Sequence, residues 1–235
     1  MPDYRKEDIV EVRPIAYIHT DFPTKFGIPR QGNLVKGLFG KIIFEPEFSD
    51  ASILRGIEEF SHLWLLWGFS ANKKEHFSAT VRPPRLGGNE RLGVFATRSP
   101  FRPNPIGLTV VELDHVERSK KDGLSLLVWG ADLMDKTPIY DIKPYLPHID
   151  SIPEASGGFA AETSSYRLLV ECRETLLLRL PLDKREPLME ILAQDPRPAY
   201  HNAPERIYGF LFAGFEIKFR VEEGVLFVVS IEVDK

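Results

Sequence analysis

The segment from Thr80 to Leu108 concentrates arginine, proline and glycine. It holds five arginines, five prolines and four glycines, against a single acid, Glu90, and no lysine. Proline fixes φ and removes a backbone donor, so neither a helix nor a central strand is expected here. The segment is therefore predicted to form ordered loops that carry binding side chains on a rigid scaffold.

Polar side chains and prolines are interspersed in the second half of this segment. The order is Arg98, Ser99, Pro100, Arg102, Pro103, Asn104 and Pro105. Prolines lower the entropy that is lost when neighbouring side chains become ordered. Preorganised guanidinium groups suit phosphates and carboxylates. A binding role is favoured, and the alternative is that these arginines pair with some of the 34 acidic residues of the chain.

A second group of reactive side chains follows the Asp132-Leu133-Met134-Asp135 string, at Asp141, Lys143 and Tyr145. In an extended segment these three point to the same side, because side chains alternate with a period of two. Lys143 is expected to keep Asp141 ionised, and Asp141 or Tyr145 could accept or relay a proton. A surface salt bridge beside a turn is an equally weighted alternative. The prolines of Tyr140–Pro147 argue against a helix or a central strand here.

Three shorter motifs also carry polar groups. Arg30 and Gln31, in the string Pro29-Arg30-Gln31, could hold a carboxylate or an adenine edge. His62 could be a base or a donor, although a lone histidine beside an apolar run is more often structural. The string from Gln194 to Tyr200 couples arginine, proline and an aromatic ring, which suits a phosphate backbone, a stacked base or a joint between domains. Trp64 and Trp67 are interpreted as core residues.

Several classes of protein are excluded by what the sequence lacks. It has no dinucleotide-binding glycine motif, no phosphate loop with its Lys-Ser/Thr, no nucleophile elbow and no Cys/His cluster with metal spacing. No metal is therefore expected, and Cys172 is a lone cysteine. The polar N-terminus and the short apolar run Leu63–Phe69 predict neither a signal peptide nor a membrane span. A cytoplasmic protein is the default, and with a net charge of −4 any nucleic-acid contact must come from a local basic patch.

The first 150 residues are predicted to be mostly β, forming a barrel or a sandwich. One helix of about three turns is predicted after Asp50 by the spacing of Ile53, Leu54, Ile57 and Phe60. Short strands are predicted at Ile9–Ile18, Leu38–Phe44, Leu63–Phe69, Val94–Thr97, Leu108–Val116 and Leu124–Trp129. One helix among so many strands argues against a doubly wound sheet.

A small α+β domain is predicted at residues 166–235, after a linker at residues 151–165 that is poor in apolar side chains. The predicted elements are a strand at Tyr166–Val170, a helix at Pro187–Gln194 with proline in its first turn, and a hairpin. The hairpin joins strictly alternating residues Phe215–Glu222 to Val225–Val233 through a turn at Glu223 and Gly224.

The motifs together resemble a known family, the TsaA-like or TrmO proteins. The matching strings are Pro29–Gln31, Phe60–Trp64, Val81–Asn89, Gly93–Ser99, Arg102–Gly107, Asp141–Pro147 and Gln194–Tyr200. They are long, rare and in the family's order, and they cover nearly the whole chain. The last string is typical of the longer, bacterial form with a C-terminal domain. The weakest correspondence is Gly130-Ala131-Asp132, whose flanks vary.

The resemblance implies a β-barrel methyltransferase without a Rossmann sheet. Such proteins use S-adenosyl-L-methionine to methylate N6 of N6-threonylcarbamoyladenosine, the modified adenosine 3′ of the tRNA anticodon. The resemblance also implies a homodimer with the cofactor near the subunit interface. The partners expected are therefore tRNA and a second copy of the chain, with no membrane.

The resemblance also assigns roles to individual residues. Cofactor binding falls on Pro29, Arg30, Gln31, His62, Leu63, Arg98, Leu108, Gly130, Ala131, Asp132 and Leu133. The catalytic group is Asp141, Lys143 and Tyr145, and substrate binding falls on Arg85, Arg102, Asn104, Arg197 and Tyr200. An ionised Asp132 or Asp141 would favour the positively charged sulfonium, and Arg30, Arg98, Arg102 or Lys143 would suit the threonyl carboxylate.

Two other functions compete with this one. The first is a non-catalytic RNA-binding protein that uses the basic loops, which would have no reason to bind S-adenosylmethionine. The second is a methyltransferase of a small molecule or a protein, which would lack the steep salt dependence of phosphate contacts. The acidic net charge mildly favours the second, and the clustered arginines favour an RNA substrate or ligand.

Overall fold

The computed structural model describes residues 10–71, 77–83, 90–162, 166–197, 203 and 205–234. Twelve strands lie within these ranges: β1 (Ala16–Thr20), β2 (Phe39–Phe44), β3 (His62–Gly68), β4 (Thr80–Val81), β5 (Leu92–Gly93), β6 (Ile106–Ser119), β7 (Gly123–Trp129), β8 (Thr137–Pro144), β9 (Leu169–Glu171), β10 (Tyr208–Phe212), β11 (Phe215–Glu222) and β12 (Val225–Val233). The α-helices of the same ranges are α1 (Pro147–Asp150), α2 (Phe159–Glu162), α3 (Glu174–Leu177) and α4 (Leu182–Ala193). No helix in these ranges combines the length and apolar character that a membrane crossing needs.

A closed barrel of six antiparallel strands forms the first unit, in the order β1-β2-β7-β6-β3-β8. Its interior follows from the two-residue period of the strands, which turns alternate side chains inward. The fully buried residues include Ile18, Ile42, Leu63, Leu65, Val111, Leu126, Val128 and Ile139. The predicted mostly-β barrel is confirmed, and closure leaves no free edge strand in this sheet.

The expectation that the prolines around Tyr140 exclude a central strand is wrong, because β8 runs through this segment and pairs with strands on both sides. Residues Thr137–Ile139 pair with β1, whereas Ile139–Pro144 pair with β3, so the two partners are staggered along β8. Pro138 and Pro144 each lie where the strand is paired on one side only. A missing backbone donor is tolerated at such positions, which is why β8 can close the barrel.

The helix predicted after Asp50 is wrong. The Asp50 carboxylate does accept a hydrogen bond from the backbone of Ser52 at 2.8 Å, as a cap should. Arg55, however, is extended and ends the first turn, and Gly56 follows with φ +85°. The segment therefore forms two short 3₁₀ helices, Ala51–Leu54 and Ile57–Glu59. A left-handed glycine separates turns whose apolar spacing by itself resembles a continuous helix.

Two strand predictions are also wrong, one in part and one throughout. The residues from Val10 to Ile15 are not in a strand, and β1 begins only at Ala16. Val94–Ala96 forms a 3₁₀ turn rather than a strand, directly after the two-residue strand β5. Strand β5 pairs with the two-residue strand β4, and this pairing ends where the 3₁₀ turn begins.

The second unit is a four-stranded sheet in the order β10-β11-β12-β9, with β9 parallel to β12. The predicted hairpin of β11 and β12 is present with the expected bounds. The predicted helix begins earlier than expected, at Leu182, and Pro187 lies inside it. Pro187 is buried, so its packing compensates for the hydrogen bond that a proline removes from a helix.

The apolar side chains of the first long loop and of the residues that follow it pack on this second unit. Phe22, Val35 and Leu38 are buried in the same apolar cluster as Leu188 and Phe212. The rings of Phe22 and Phe212 lie 5.3 Å apart. The division of the chain at residues 151–165 stays a prediction, and the packing places the loop that carries Pro29–Gln31 between the barrel and the C-terminal sheet.

Candidate active site

A cavity of about 420 Å³ lies at the barrel end where β3 finishes and β6 and β8 begin. Its volume is within the range of small-molecule sites. Eight residues assigned by sequence line it: Pro29, Arg30, Gln31, Arg98, Arg102, Leu108, Asp132 and Leu133. Trp67, Thr109 and Met134 also contribute to its walls. The fold therefore gathers residues from four distant parts of the chain around one cavity.

A hydrogen-bonded chain of three side chains forms one wall. The indole nitrogen of Trp67 donates to the hydroxyl oxygen of Thr109 at 3.1 Å, and that hydroxyl donates to Asp132 Oδ1 at 2.8 Å. Desolvation raises the pKa of Asp132 above its ordinary value, although the bond from Thr109 and the nearby charge of Arg98 act in the opposite direction. The wall thus holds a carboxylate whose charge is incompletely compensated, which suits a cationic ligand.

Guanidinium groups and an amide form another part of the cavity lining, which we call the rim. Arg98 donates to the amide oxygen of Gln31, and the Gln31 amide nitrogen donates to the backbone carbonyl of Arg30. Arg102 donates to the carbonyl of Thr97 at 3.1 Å and so fixes the loop that carries Arg98. This rim can hold a carboxylate or a polar base edge, because its donors are already oriented.

The loop that carries Gln31 is fixed to the barrel by the residues that follow it. The backbone of Asn33 donates to the carbonyl of Gly130 at 3.0 Å, and its side chain donates to the carbonyl of Val110 at 2.9 Å. Gly130 has φ +83°, and a Cβ atom there would lie 2.1 Å from Asn33 Oδ1. The assigned residue Gly130 therefore shapes the cavity through the backbone.

We expect Gly130→Ala to destabilise the protein by roughly 1–3 kcal/mol, from left-handed strain and displacement of Asn33. Urea unfolding monitored by tryptophan fluorescence measures the change. Gly123→Ala is a matched control, because Gly123 has φ +69° but open space where its Cβ would be. A loss in Gly130→Ala no larger than in the control would show that the Asn33 contact contributes nothing.

The group assigned as catalytic lies on the outer face of the barrel. Lys143 Nζ lies 2.8 Å from Asp141 Oδ2, which agrees with the prediction that both point to the same side. Tyr145 donates its backbone N–H to the carbonyl of His62 at 3.0 Å, and the two rings are 6.2 Å apart. We call Asp141, Lys143 and Tyr145 the outer cluster. None of the three lines the cavity of its own chain.

The outer cluster is separated from the cavity rim by one strand. Leu66 of β3 pairs with Leu108 of β6 on one side and with Asp141 of β8 on the other. Because neighbouring strands lie about 4.7–4.9 Å apart, Asp141 is roughly 10 Å from Leu108 across the sheet. Leu108 is 51% exposed and Ile106 is 40% exposed. The surface between cavity and outer cluster is therefore apolar.

Other assigned residues lie away from the cavity. Leu63 is fully buried in the barrel core, and the neighbouring His62 points outward, because β3 alternates its side chains. Ala131 is also buried, and Asn104 is exposed on the loop before β6. Arg85 and Tyr200 lie outside the described residues. The cofactor role assigned to His62 and Leu63 stays a prediction.

Sequence reasoning missed Trp67 and Thr109. The interpretation of Trp67 as a core residue is correct only in part, because Trp67 is partly buried against the barrel core at the end of β3 and its indole also lines the cavity. Trp67 lies over Gly107, where a Cβ atom would come within 2.3 Å of the indole. The available signal was Thr109, a polar residue at an inward position of β6 that is only 4% exposed.

Comparisons with known proteins agree with this arrangement. Residues 17–151 match the model of the tRNA-methyltransferase O N-terminal domain, and residues 170–234 match that of the TrmO C-terminal domain. The chain belongs to the TrmO family. In the parts of this TrmO-family chain that the structure describes, no group of three or more His, Cys, Asp or Glu side chains could hold a metal.

Similar proteins extend over most of the chain. The tRNA (adenine(37)-N6)-methyltransferase of Escherichia coli K12 is 42% identical over 226 residues, which cover 93% of this chain and 96% of that protein. A putative S-adenosylmethionine-dependent methyltransferase, RcsF, of Pseudomonas aeruginosa is 42% identical and covers 84% of this chain and 87% of that protein. The crystal structure of TrmO from Pseudomonas aeruginosa superposes with a TM-score of 0.74 at 33% identity, over 95% of this chain and 98% of that one.

Proposed function

We propose that this protein is an S-adenosylmethionine-dependent tRNA methyltransferase acting on N6 of the adenosine at position 37. The substrate would carry an N6-threonylcarbamoyl group. The observation that carries the proposal is the cavity, which brings Arg98, Gln31 and Asp132 together in a chain 42% identical to a curated tRNA (adenine(37)-N6)-methyltransferase. The family relationship supports tRNA as the substrate, and the polar side chains of the cavity support S-adenosylmethionine as the cofactor.

The cavity fits S-adenosylmethionine by volume and by charge. The cofactor has a carboxylate, an ammonium, a sulfonium and an apolar-faced adenine. Arg98 and Gln31 on the rim suit the carboxylate, and Asp132 suits a cationic group of the cofactor. Leu108 and Trp67 provide apolar surface for the adenine ring. When bound, the cofactor supplies an electrophilic methyl group.

The acceptor nitrogen belongs to a ureido group and is a poor nucleophile, so removal of its proton would accelerate transfer. We assign the proton to Asp141, with Tyr145 of the same outer cluster, and we assign Lys143 to the threonyl carboxylate. The exposed positions of Asp141 and Lys143 leave both side chains open to a substrate. Transfer then requires alignment of donor and acceptor more than further chemistry by the protein.

A homodimer would bring the outer cluster of one subunit beside the cavity of the other. Within one chain the outer cluster faces outward across an apolar strip that includes Ile106 and Leu108. Burial of such a strip against a second copy is typical of symmetric oligomers. We therefore propose a twofold dimer in which each active site is completed by the partner, with soluble tRNA as the substrate.

A methylation assay with labelled S-adenosylmethionine tests the proposed function. It compares total tRNA from normal cells with tRNA that lacks the threonylcarbamoyl group. Label in the normal tRNA alone would support the reaction and the modified base as recognition element. Label in both would leave a tRNA methyltransferase with a different target atom. No label in either, with tight tRNA binding intact, would favour a non-catalytic binding protein.

A further inference from the structure

The C-terminal unit holds the loop that leads to the cavity. The side-chain amide of Gln194, at the end of α4, donates to the carbonyl of Leu34 at 3.2 Å, and Lys184 donates to the carboxylate of Asp21 at 2.7 Å. Gln194 is only 5% exposed, and Lys184 is also largely buried. Buried polar contacts of this kind fix a backbone more strongly than exposed ones.

Direct packing fixes the same loop. Gly27 has φ +94°, and a Cβ atom there would lie 2.3 Å from the ring of Phe210 in β10. At Gly37 a Cβ atom would lie 3.2 Å from Pro187 of α4. Both ends of the segment that carries Pro29–Gln31 therefore lie against the C-terminal core, with no space for a larger residue at Gly27.

Arg30 connects this segment to the loop after α4. Its guanidinium donates to the carbonyls of Asp195 and Arg197, both at 3.4 Å. Asp195 has φ +54°, an uncommon conformation for a residue other than glycine. Arg197 holds Asp195 there through two parallel bonds of 2.8 Å, from Nε to Oδ1 and from Nη2 to Oδ2. The Asp195–Arg197 pair thus orients the two carbonyls that receive Arg30.

We propose that the Asp195–Arg197 pair is a positioning device for cofactor binding, acting through Arg30 on Gln31 and Arg98. The proposal rests on the proposed function, since it takes the cavity as the cofactor site. It gives Arg197 a different role from the substrate contact assigned by sequence. The fork of Arg197 is already engaged by Asp195, and neither residue lines the cavity.

The test is calorimetric titration of the full chain with S-adenosylmethionine in the absence of tRNA. We expect Arg197→Ala and Asp195→Asn each to raise the Kd for the cofactor roughly tenfold, since a charge-assisted contact that orders the loop is lost. Arg197→Lys should recover little, because an ammonium cannot form the two parallel bonds. Arg220→Ala is the matched control, as it removes the same charge from an exposed site in the same unit.

Three results separate this proposal from its competitors. Wild-type cofactor affinity in Arg197→Ala, together with weakened tRNA binding, would make Arg197 a tRNA contact and overturn the proposal. A wild-type protein that binds no S-adenosylmethionine would instead refute the proposed function. If both variants fail to fold, hydrogen exchange on the wild-type protein decides. The cofactor should protect the amides of Asp195 and Arg197 as well as those of residues 30–33. Protection of residues 30–33 alone would contradict the coupling.

Discussion

Asp141→Asn is expected to lower the turnover of tRNA methylation by roughly 10²–10⁴-fold, the usual contribution of a positioned acid or base. Asparagine keeps the size of the side chain and can still accept the backbone hydrogen bond from Ile142, which is 2.9 Å in the wild-type protein. It cannot accept a proton at neutral pH. Single-turnover kinetics with saturating cofactor measure the effect.

The same substitution should change the Kd for S-adenosylmethionine little, because the proposed role of Asp141 is on the acceptor side and Asp141 does not line the cavity of its own chain. A loss of turnover without a loss of cofactor affinity distinguishes a role on the acceptor side from a structural one. Glu222→Gln is a suitable control, since it neutralises an exposed acid that is also paired with a basic neighbour. Near-wild-type turnover in Asp141→Asn would remove Asp141 from the proton-transfer role.

Mixing two inactive variants tests whether the active site is shared between subunits. Arg98→Ala impairs the cavity and Asp141→Asn impairs the outer cluster. In a symmetric dimer that exchanges subunits, half of the molecules would be mixed and each would have one intact site, so about a quarter of the sites should be active. Activity no greater than that of either variant alone, with exchange verified, would place both groups in one subunit's site.

The strands of both units could be predicted because they are simple amphipathic or apolar segments. Alternation along β11 and β12 determines which residues face the core, and the Glu223–Gly224 turn then determines the hairpin register. The predicted helix after Asp50 failed for a local reason. The spacing of apolar residues gives no indication of the left-handed conformation of Gly56, which lies between the two turns.

The cavity could be predicted only in part. Gln31 and Arg98 were identified from rare strings that match a family, and Asp132 from a weaker correspondence. No spacing rule brings together residues so far apart in sequence. The cavity role of Trp67 was missed because an inward side chain at the end of β3 packs on the core and lines the cavity at once, and an apolar run in the sequence does not distinguish the two positions. The packing of the first long loop on α4 likewise depends on tertiary contacts between distant segments.

Asp132→Asn is expected to weaken binding of S-adenosylmethionine roughly 10–100-fold, the range for a lost interaction with a charged group. The amide retains an oxygen for the bond from Thr109, so the geometry of the wall is kept. S-adenosylhomocysteine, whose sulfur is neutral, should lose less affinity. Calorimetric titration with both compounds measures the difference, and equal losses would show that Asp132 does not respond to the sulfonium charge.

The raised pKa of Asp132 predicts a pH dependence with a definite sign. Wild-type affinity for S-adenosylmethionine should fall as the pH is lowered through this raised pKa, because protonation removes the charge that attracts the cation. The affinity of Asp132→Asn for S-adenosylmethionine should not decrease in this way, and the affinity of the wild type for S-adenosylhomocysteine should decrease only weakly. A wild-type profile that coincides with the Asp132→Asn profile over this interval would exclude Asp132 as the titrating group.

The stability of the folded protein should depend on pH with the opposite sign to cofactor affinity, so that it falls as the pH is raised. When the folded-state pKa of an acid is raised, the folded protein binds more protons than the unfolded chain, so stability is lost as the pH rises from the unfolded-state pKa through the folded-state pKa. Asp132→Asn should therefore unfold at a higher urea concentration than the wild type at neutral pH, and this advantage should vanish below about pH 4, where both forms are neutral. A residue that lowers stability while increasing affinity is expected at a binding site, because its unfavourable burial is relieved only when the cationic ligand binds.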